Sequence, residues 1–329
     1  MKKPLVALAL ASVAALSLAG CSTTPAAGEG DSGNVAVVAS TNVYGSLAAQ
    51  IGGDRVDVTS IITSATQDPH SYEASARDRL SVQKADLVIE NGGGYDAFID
   101  TLLQDAGDPH LVTAVEFSHD FPGNEGHSDE AEDATEEDHD HAEGEEGHEG
   151  HDHIEGFNEH VWFDPHTMIH VVEAIAEELT ELDPDGEADF TANAEEIVAD
   201  LEGFEADLET LKTDAAGANV IITEPVPGYL AAAAGLTDVT PEGFAESVEE
   251  GSDVAPATLL ATLNVIEAGD VRAVLTNAQT GGAETQRVED AATDAGIPLV
   301  AFTELLPEGS SYSEWMSDAI QSLADALQS

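Results

Sequence analysis

Of the 12 histidines in the chain, five stand outside one long acidic stretch: His70, His110, His160, His166 and His170, and none follows position 170. Imidazole nitrogens and carboxylate oxygens are common protein ligands of divalent transition metals. A metal held between the first and second halves of this chain must therefore take carboxylates from the second half. His70 sits in Asp68-Pro69-His70-Ser71-Tyr72-Glu73, after a strand-like run and before a helix-like one. Loops at the carboxyl ends of strands are where open α/β sheets bind ligands, and Pro69 stiffens the approach to His70. His160 sits in Asn158-Glu159-His160-Val161-Trp162-Phe163-Asp164-Pro165, where the chain leaves the acidic stretch for a segment with aromatics of the buried type. A lone histidine is more often structural. With a histidine-rich segment lying between them, His70 and His160 are both read as ligands. In the second half, Glu224 follows the apolar run Val220-Ile221-Ile222-Thr223, and Glu304 lies in Thr303-Glu304-Leu305-Leu306-Pro307 after Leu299-Val300-Ala301-Phe302. Both occupy the kind of place that His70 occupies. They are either ligands or exposed acidic loop residues of a very acidic protein, and spacing alone leaves both readings standing.

The acidic stretch, residues 118–154, carries the other seven histidines: His119, His127, His139, His141, His148, His151 and His153. Acidic residues and glycine fill most of the rest, so the segment cannot offset its ordering entropy and is expected to be disordered. Neutral imidazoles among carboxylates make weak, mobile ligands. The segment reads as a low-affinity metal-collecting loop, the alternative being a solvated acidic insertion. A metal-dependent hydrolase needs an open metal position and a general base. No His-Glu-x-x-His segment and no Gly-x-Ser-x-Gly elbow is present, and the glycines after Asn91 lack the lysine of a phosphate loop. Binding is therefore preferred to catalysis. A surface metal buffer or adhesin not coupled to transport is the other alternative.

The remaining sequence says where such a site works and what must hold it. Lys2 and Lys3 precede an apolar run over residues 5–18, too short to span a bilayer stably, which ends in Leu18-Ala19-Gly20-Cys21. Residues 1–20 are read as a lipoprotein leader and Cys21, the single cysteine, as the lipidated first residue of the mature chain. Residues 21–34 are small and polar, as in a flexible tether. Nine basic residues against 66 acidic ones give a net charge of −57, which repels nucleic acid. The acid excess is spread along the chain and reads mainly as surface solubility.

From Val35 apolar, β-branched runs alternate with helix-like stretches, and from Val220 the rhythm starts again. Continuous apolar strands separated by helices imply mainly parallel sheets buried on both faces. The expected fold is α/β, with two lobes. Between them Phe190, Ile197, Leu201, Phe204, Leu208 and Leu211 recur at helical spacing. A helix of about 29 residues there would span ~43 Å, enough to join both lobes and limit hinge motion. Two shorter helices broken near Gly203 are the alternative. The expected divisions are a first lobe over residues 35–183, a linking helix over 184–214 and a second lobe over 215–329.

These residues resemble a family, the substrate-binding proteins of ABC importers for zinc and manganese. The likeness rests on Asp68-Pro69-His70 with Glu73, His160-Val161-Trp162-Phe163-Asp164-Pro165, Gly228-Tyr229-Leu230 and Tyr312 with Trp315-Met316. The resemblance implies two lobes joined by a rigid helix, and one metal in the cleft bound by His70, His160, Glu224 and Glu304. It also implies a monomer that passes its cargo to the permease of an ABC importer. Zinc-type members often have histidine where Glu224 stands, and aspartate is common where Glu304 stands. Glu224 thus moves the set toward manganese, while the histidine-rich segment resembles zinc importers. Two neutral imidazoles and two carboxylates cancel a divalent charge. Zinc is favoured as the cargo, with manganese the alternative.

Overall fold

Val35–Thr41 (β1) is an apolar, β-branched run that enters the centre of a sheet, and six of its seven residues are buried. Residues 33–124, 154 and 156–328 are described by the structure, a computed structural model. After β1 the chain forms Asn42–Gly52 (α1), Val56–Ile62 (β2), Ala76–Val82 (α2), Leu87–Glu90 (β3), Phe98–Leu103 (α3) and His110–Thr113 (β4). All pairings are parallel and the strand order is β2-β1-β3-β4. Every residue of β3 is buried, as a strand covered on both faces requires.

The second half repeats this order. Asn219–Ile222 (β5), Thr237–Asp238 (β6), Val271–Asn277 (β7) and Leu299–Phe302 (β8) form a second parallel sheet, β6-β5-β7-β8. In both sheets the first strand of the half lies beside the second on one side and the third on the other. That reversal opens a crevice at the strands' carboxyl ends. The connecting helices here are Gly228–Ala233, Ala245–Glu249, Pro256–Ala268 and Ala283–Ala295, with Tyr312–Gln328 closing the chain.

Two helices lie between the sheets: Pro165–Leu182 (α4) and Glu187–Ala215 (α5). The helices of the second half are therefore α6 to α10 in chain order. Helix α5 has 29 residues and passes Gly203 without a break. A Cβ at Gly203 would meet nothing within 4 Å, so this glycine faces open space. Its buried stripe is Phe190, Ala194, Ile197, Leu201, Leu208 and Leu211. With this stripe α5 packs on α1 and α4 from the first half and on α6 and α10 from the second.

Helix α4 was not anticipated, although its signal is present. Pro165 stands in its first turn, and Met168, Val171, Val172, Ile175 and Leu179 bury one face at spacings of three and four. Helix α10 reaches beyond its own half. It packs against α5 and α1, and the Tyr312 hydroxyl donates to the Trp162 carbonyl across 2.8 Å. One continuous core runs from Val35 to Leu327, and from Asn34 onward the chain forms one unit.

The expectation of disorder over residues 118–154 fails at both of its ends. Ser118 is buried, Asn124 donates through Nδ2 to the Glu116 and Ser118 carbonyls, and Phe121 meets Phe157 edge-on at 5.6 Å. Ile154 packs against the main core. Apolar anchors at its two ends fix the start and finish of the acidic segment. His127, His139, His141, His148, His151 and His153 lie outside the described residues, as do Cys21, the leader and nearly all of the tether. Among the described residues no helix is long and apolar enough to cross a membrane.

Candidate metal centre

The crevice is furnished from the carboxyl ends of strands in both sheets. His70 comes from the loop after β2, and its position is set by a local turn. Asp68 Oδ1 accepts from the His70 backbone N–H at 3.0 Å and Asp68 Oδ2 from the Ser71 hydroxyl at 2.7 Å. Pro69 is buried between them, so the turn has little freedom. Ser75 and Asp78 form a capping box at the start of α2 and fix where the loop ends.

His160 is 1% exposed and precedes a short 3-10 turn, Val161–Phe163. Its Nδ1 lies 2.7 Å from Asn158 Oδ1, and the Asn158 amide nitrogen donates to the Pro225 carbonyl at 3.1 Å. With that nitrogen engaged as donor, Asn158 Oδ1 is the acceptor, so the His160 proton sits on Nδ1. The Nε2 lone pair is thereby directed into the crevice, the arrangement that orients a metal-binding imidazole. Around it stand Tyr95 and Trp162, with ring centroids 5.9 and 5.1 Å away. The His70 and His160 rings are 6.3 Å apart.

Glu224 and Glu304 face this pair from the second sheet, buried at 2% and 4% exposure. They are not the exposed acidic loop residues that their spacing equally allowed. One side-chain amide ties them together: Asn277 Nδ2 donates to Glu224 Oε2 at 2.8 Å and to Glu304 Oε1 at 2.6 Å. The second oxygen of each is also occupied, Glu224 Oε1 by the Thr280 hydroxyl and Glu304 Oε2 by the Tyr95 hydroxyl. Gln279 Oε1 accepts from the backbone N–H groups of Glu304 and Leu305 and holds that loop.

One ligand atom from each of His70, His160 and Glu304 lies within 4.8 Å of the others. Glu224 is joined to this trio through Asn277 but is not in so tight a group. A second group meeting the same distance is His70, Glu159 and Glu249. Of the four residues singled out as ligands, three converge and the fourth stands beside them. His119 lies elsewhere, exposed, with Nε2 3.2 Å from Asp120 Oδ1 and Nδ1 4.0 Å from Asp164 Oδ2. His110, Glu178 and Glu181 group on the outside of the first half.

Burial dominates the electrostatics. It pushes Glu304 up to about 7 and raises Glu224, and in each case the Asn277 hydrogen bond offsets part of the rise. Burial, then repulsion from Glu159, Glu224 and Glu304, pushes Glu249 up to about 9. A pocket of carboxylates that are costly to ionise, beside two imidazoles, is complementary to a cation that would replace the protons.

Sequence reasoning did not find Glu249, Tyr95, Asn277, Gln279 or Thr280. Asn277 to Thr280 had the signal that marked Glu224, since they follow an apolar strand at its carboxyl end. Glu249 had none, being one of three glutamates in Glu246-Ser247-Val248-Glu249-Glu250.

Residues 37–326 match the model of the ZnuA family, zinc-uptake complex component A, periplasmic. The zinc-binding lipoprotein AdcA of Streptococcus pneumoniae is 29% identical over 252 residues, covering 76% of this chain and 46% of AdcA. The manganese-binding lipoprotein MntA of Halalkalibacterium halodurans is 27% identical over 193 residues, covering 59% of this chain and 55% of MntA. These matches thus span about half the length of the curated relatives. The periplasmic zinc-binding protein TroA of Treponema pallidum shares the fold, with a TM-score of 0.69 at 18% identity over 90% of this chain and 99% of that one.

Proposed function

The chain belongs to the zinc-uptake complex component A family, and from that premise we propose that it is an extracytoplasmic receptor capturing a divalent transition metal for an ABC importer. Zinc is the favoured cargo and manganese the alternative. The single observation that carries this reading is the convergence of His70, His160 and Glu304 from both halves in one crevice. Glu224 completes the set once Asn277 no longer holds it.

In this reading the crevice is organised around the Asn277 amide, which bridges its two carboxylates. Arrival of the ion replaces that single donor by a full double charge. The metal competes with protons for Glu304, which burial has raised to about 7, and the charges of two carboxylates cancel those of the metal. His160 needs no reorientation, because Asn158 already directs Nε2 inward. Release to a permease requires only that the second-half loops after β5, β7 and β8 rearrange, since α5 packs on both halves and resists bending. The proposal also includes a mature chain attached to membrane lipid through Cys21, acting as a monomer, with no nucleic-acid partner and no reaction catalysed. Residues 118–154 serve in it as the collecting loop.

Native mass spectrometry with zinc and manganese in competition tests the reading. One tightly held ion is expected in the parent and in a variant lacking residues 125–153, with weaker adducts lost from the latter. Retention of that ion by both His160→Ala and Glu304→Ala would overturn the proposal.

A further inference from the structure

Glu249 ends α7, a five-residue helix with no buried residue of its own. Its side chain nevertheless turns into the crevice, where only 11% of it is exposed. There Glu249 Oε1 lies 3.5 Å from His160 Nε2. Asn158 keeps the His160 proton on Nδ1, so when Glu249 is ionised the contact sets one lone pair against another. Moreover, Glu249 Oε1 is buried with no hydrogen-bond partner. Glu224 and Glu304 differ, since each has both oxygens satisfied. A buried carboxylate oxygen that faces a lone pair and lacks a donor is unfavourable unless a proton or a metal ion comes between them, and a divalent ion can bind both groups at once.

The spacing identifies what fits. Metal–nitrogen and metal–oxygen bonds of roughly 2.0–2.2 Å at a tetrahedral angle place two ligand atoms about 3.4 Å apart. The Glu249–His160 separation matches this without movement of either group. His70 and Glu159 also bring ligand atoms within 4.8 Å of Glu249. Glu249 has a second face as well. With Asp68, Asp253, Thr280 and Glu284 it lines a cavity of about 420 Å³. Asp68 and Asp253 are exposed, so acidic groups lead from solvent to a carboxylate that also touches His160.

On the reading that this crevice captures a divalent metal, we infer that Glu249 is itself a ligand of the captured ion, contributed by α7 alongside His160. A third carboxylate raises the oxygen count and the coordination number. That broadens the site from a tetrahedral zinc set toward one that also accepts manganese. It gives the ion a first point of attachment at the inner end of the acidic cavity.

Cobalt(II), whose visible absorption reports the number and kind of its ligands, tests this with the full-length chain. Parent, Glu249→Ala, Glu249→Gln and His160→Ala are titrated with cobalt, and manganese affinities are measured on the same proteins. Thermal melts without metal establish that each variant folds. Both Glu249 variants are expected to change the position and intensity of the cobalt bands and to weaken manganese at least tenfold. Bands identical to those of the parent in Glu249→Ala would overturn the inference whatever happens to affinity, because Glu249 would then act only through its charge. His160→Ala separates this outcome from failure of the underlying reading. If it also leaves the bands unchanged, the crevice is not the metal site.

Discussion

Tyr95, from the loop after β3, donates its hydroxyl to Glu304 Oε2 of the second half across 3.1 Å. This bond stabilises the ionised carboxylate and so offsets part of the rise caused by burial, which leaves Glu304 at about 7. Tyr95→Phe removes the donor, and protons then compete better with metal for Glu304. Zinc affinity is expected to fall severalfold at pH 6 and distinctly less at pH 8, as chelator competition at the two pH values would measure. Equal losses at both would show that Tyr95 acts by packing alone.

Asn158 acts on the metal through His160. Asn158→Ala leaves Nδ1 without its acceptor and frees the ring to rotate or to exchange its proton between nitrogens. Loss of such an orienting partner typically costs 10- to 100-fold in metal affinity, and a fall in that range is expected by zinc competition titration. Asn158→Asp, which keeps an acceptor oxygen at the same place, should retain more of the affinity than the alanine variant.

The raised carboxylates give the metal-free protein a particular pH dependence. Glu304 at about 7 and Glu249 at about 9 lie above an unfolded glutamate near 4.5, so the folded protein binds more protons than the unfolded chain between these values. Their contribution to stability is fully present below about 4.5 and is lost as pH rises through 7 and 9. Bound metal removes this penalty. Calorimetric melts should therefore show a stabilisation by zinc that grows from pH 5.5 to pH 8.5. Metal uptake should release protons, detectable as a buffer-dependent binding enthalpy. An increment in Tm that shrinks over this range would contradict the assignment of Glu304 as a ligand.

Leu201 tests the joint between the halves. It is wholly buried in the stripe of α5 and belongs to the core running through both sheets. Leu201→Ala should cost about 2–5 kcal/mol, read from urea denaturation. Because the core is continuous, both halves should lose structure in one transition. Two separated transitions would show that the halves unfold independently.

Much of this architecture was legible in the sequence, for a physical reason. Strands covered on both faces must be apolar throughout, so β1, β3, β5 and β7 stand out from a polar background. The stripe of α5 recurs regularly enough to reveal its length. His70 and His160 stood out because a histidine-rich segment lies between them, whereas spacing left Glu224 and Glu304 open between ligands and exposed acids until the family resemblance paired them with the histidines. What failed is equally specific. Helix α4 follows the aromatic run at His160, whose apolar density masked the change of period at Pro165. Attachment of α10 to the first half depends on Tyr312 reaching a backbone carbonyl far away in sequence, which no local pattern encodes. Glu249 was invisible because a glutamate among glutamates acquires meaning only when α7 is placed against His160.

The loop carrying His160 owes its position partly to helix α10. The Tyr312 hydroxyl grips the Trp162 carbonyl, and Trp315 lies against Phe163, with ring centroids 4.8 Å apart. A molecule cut short before Tyr312 keeps all four residues first singled out as ligands, yet loses the clasp behind one of them. Helix α10 is thus a buttress for a loop some 150 positions earlier in the sequence, so substitutions at Tyr312 or Trp315 would reach the His160 imidazole through its backbone.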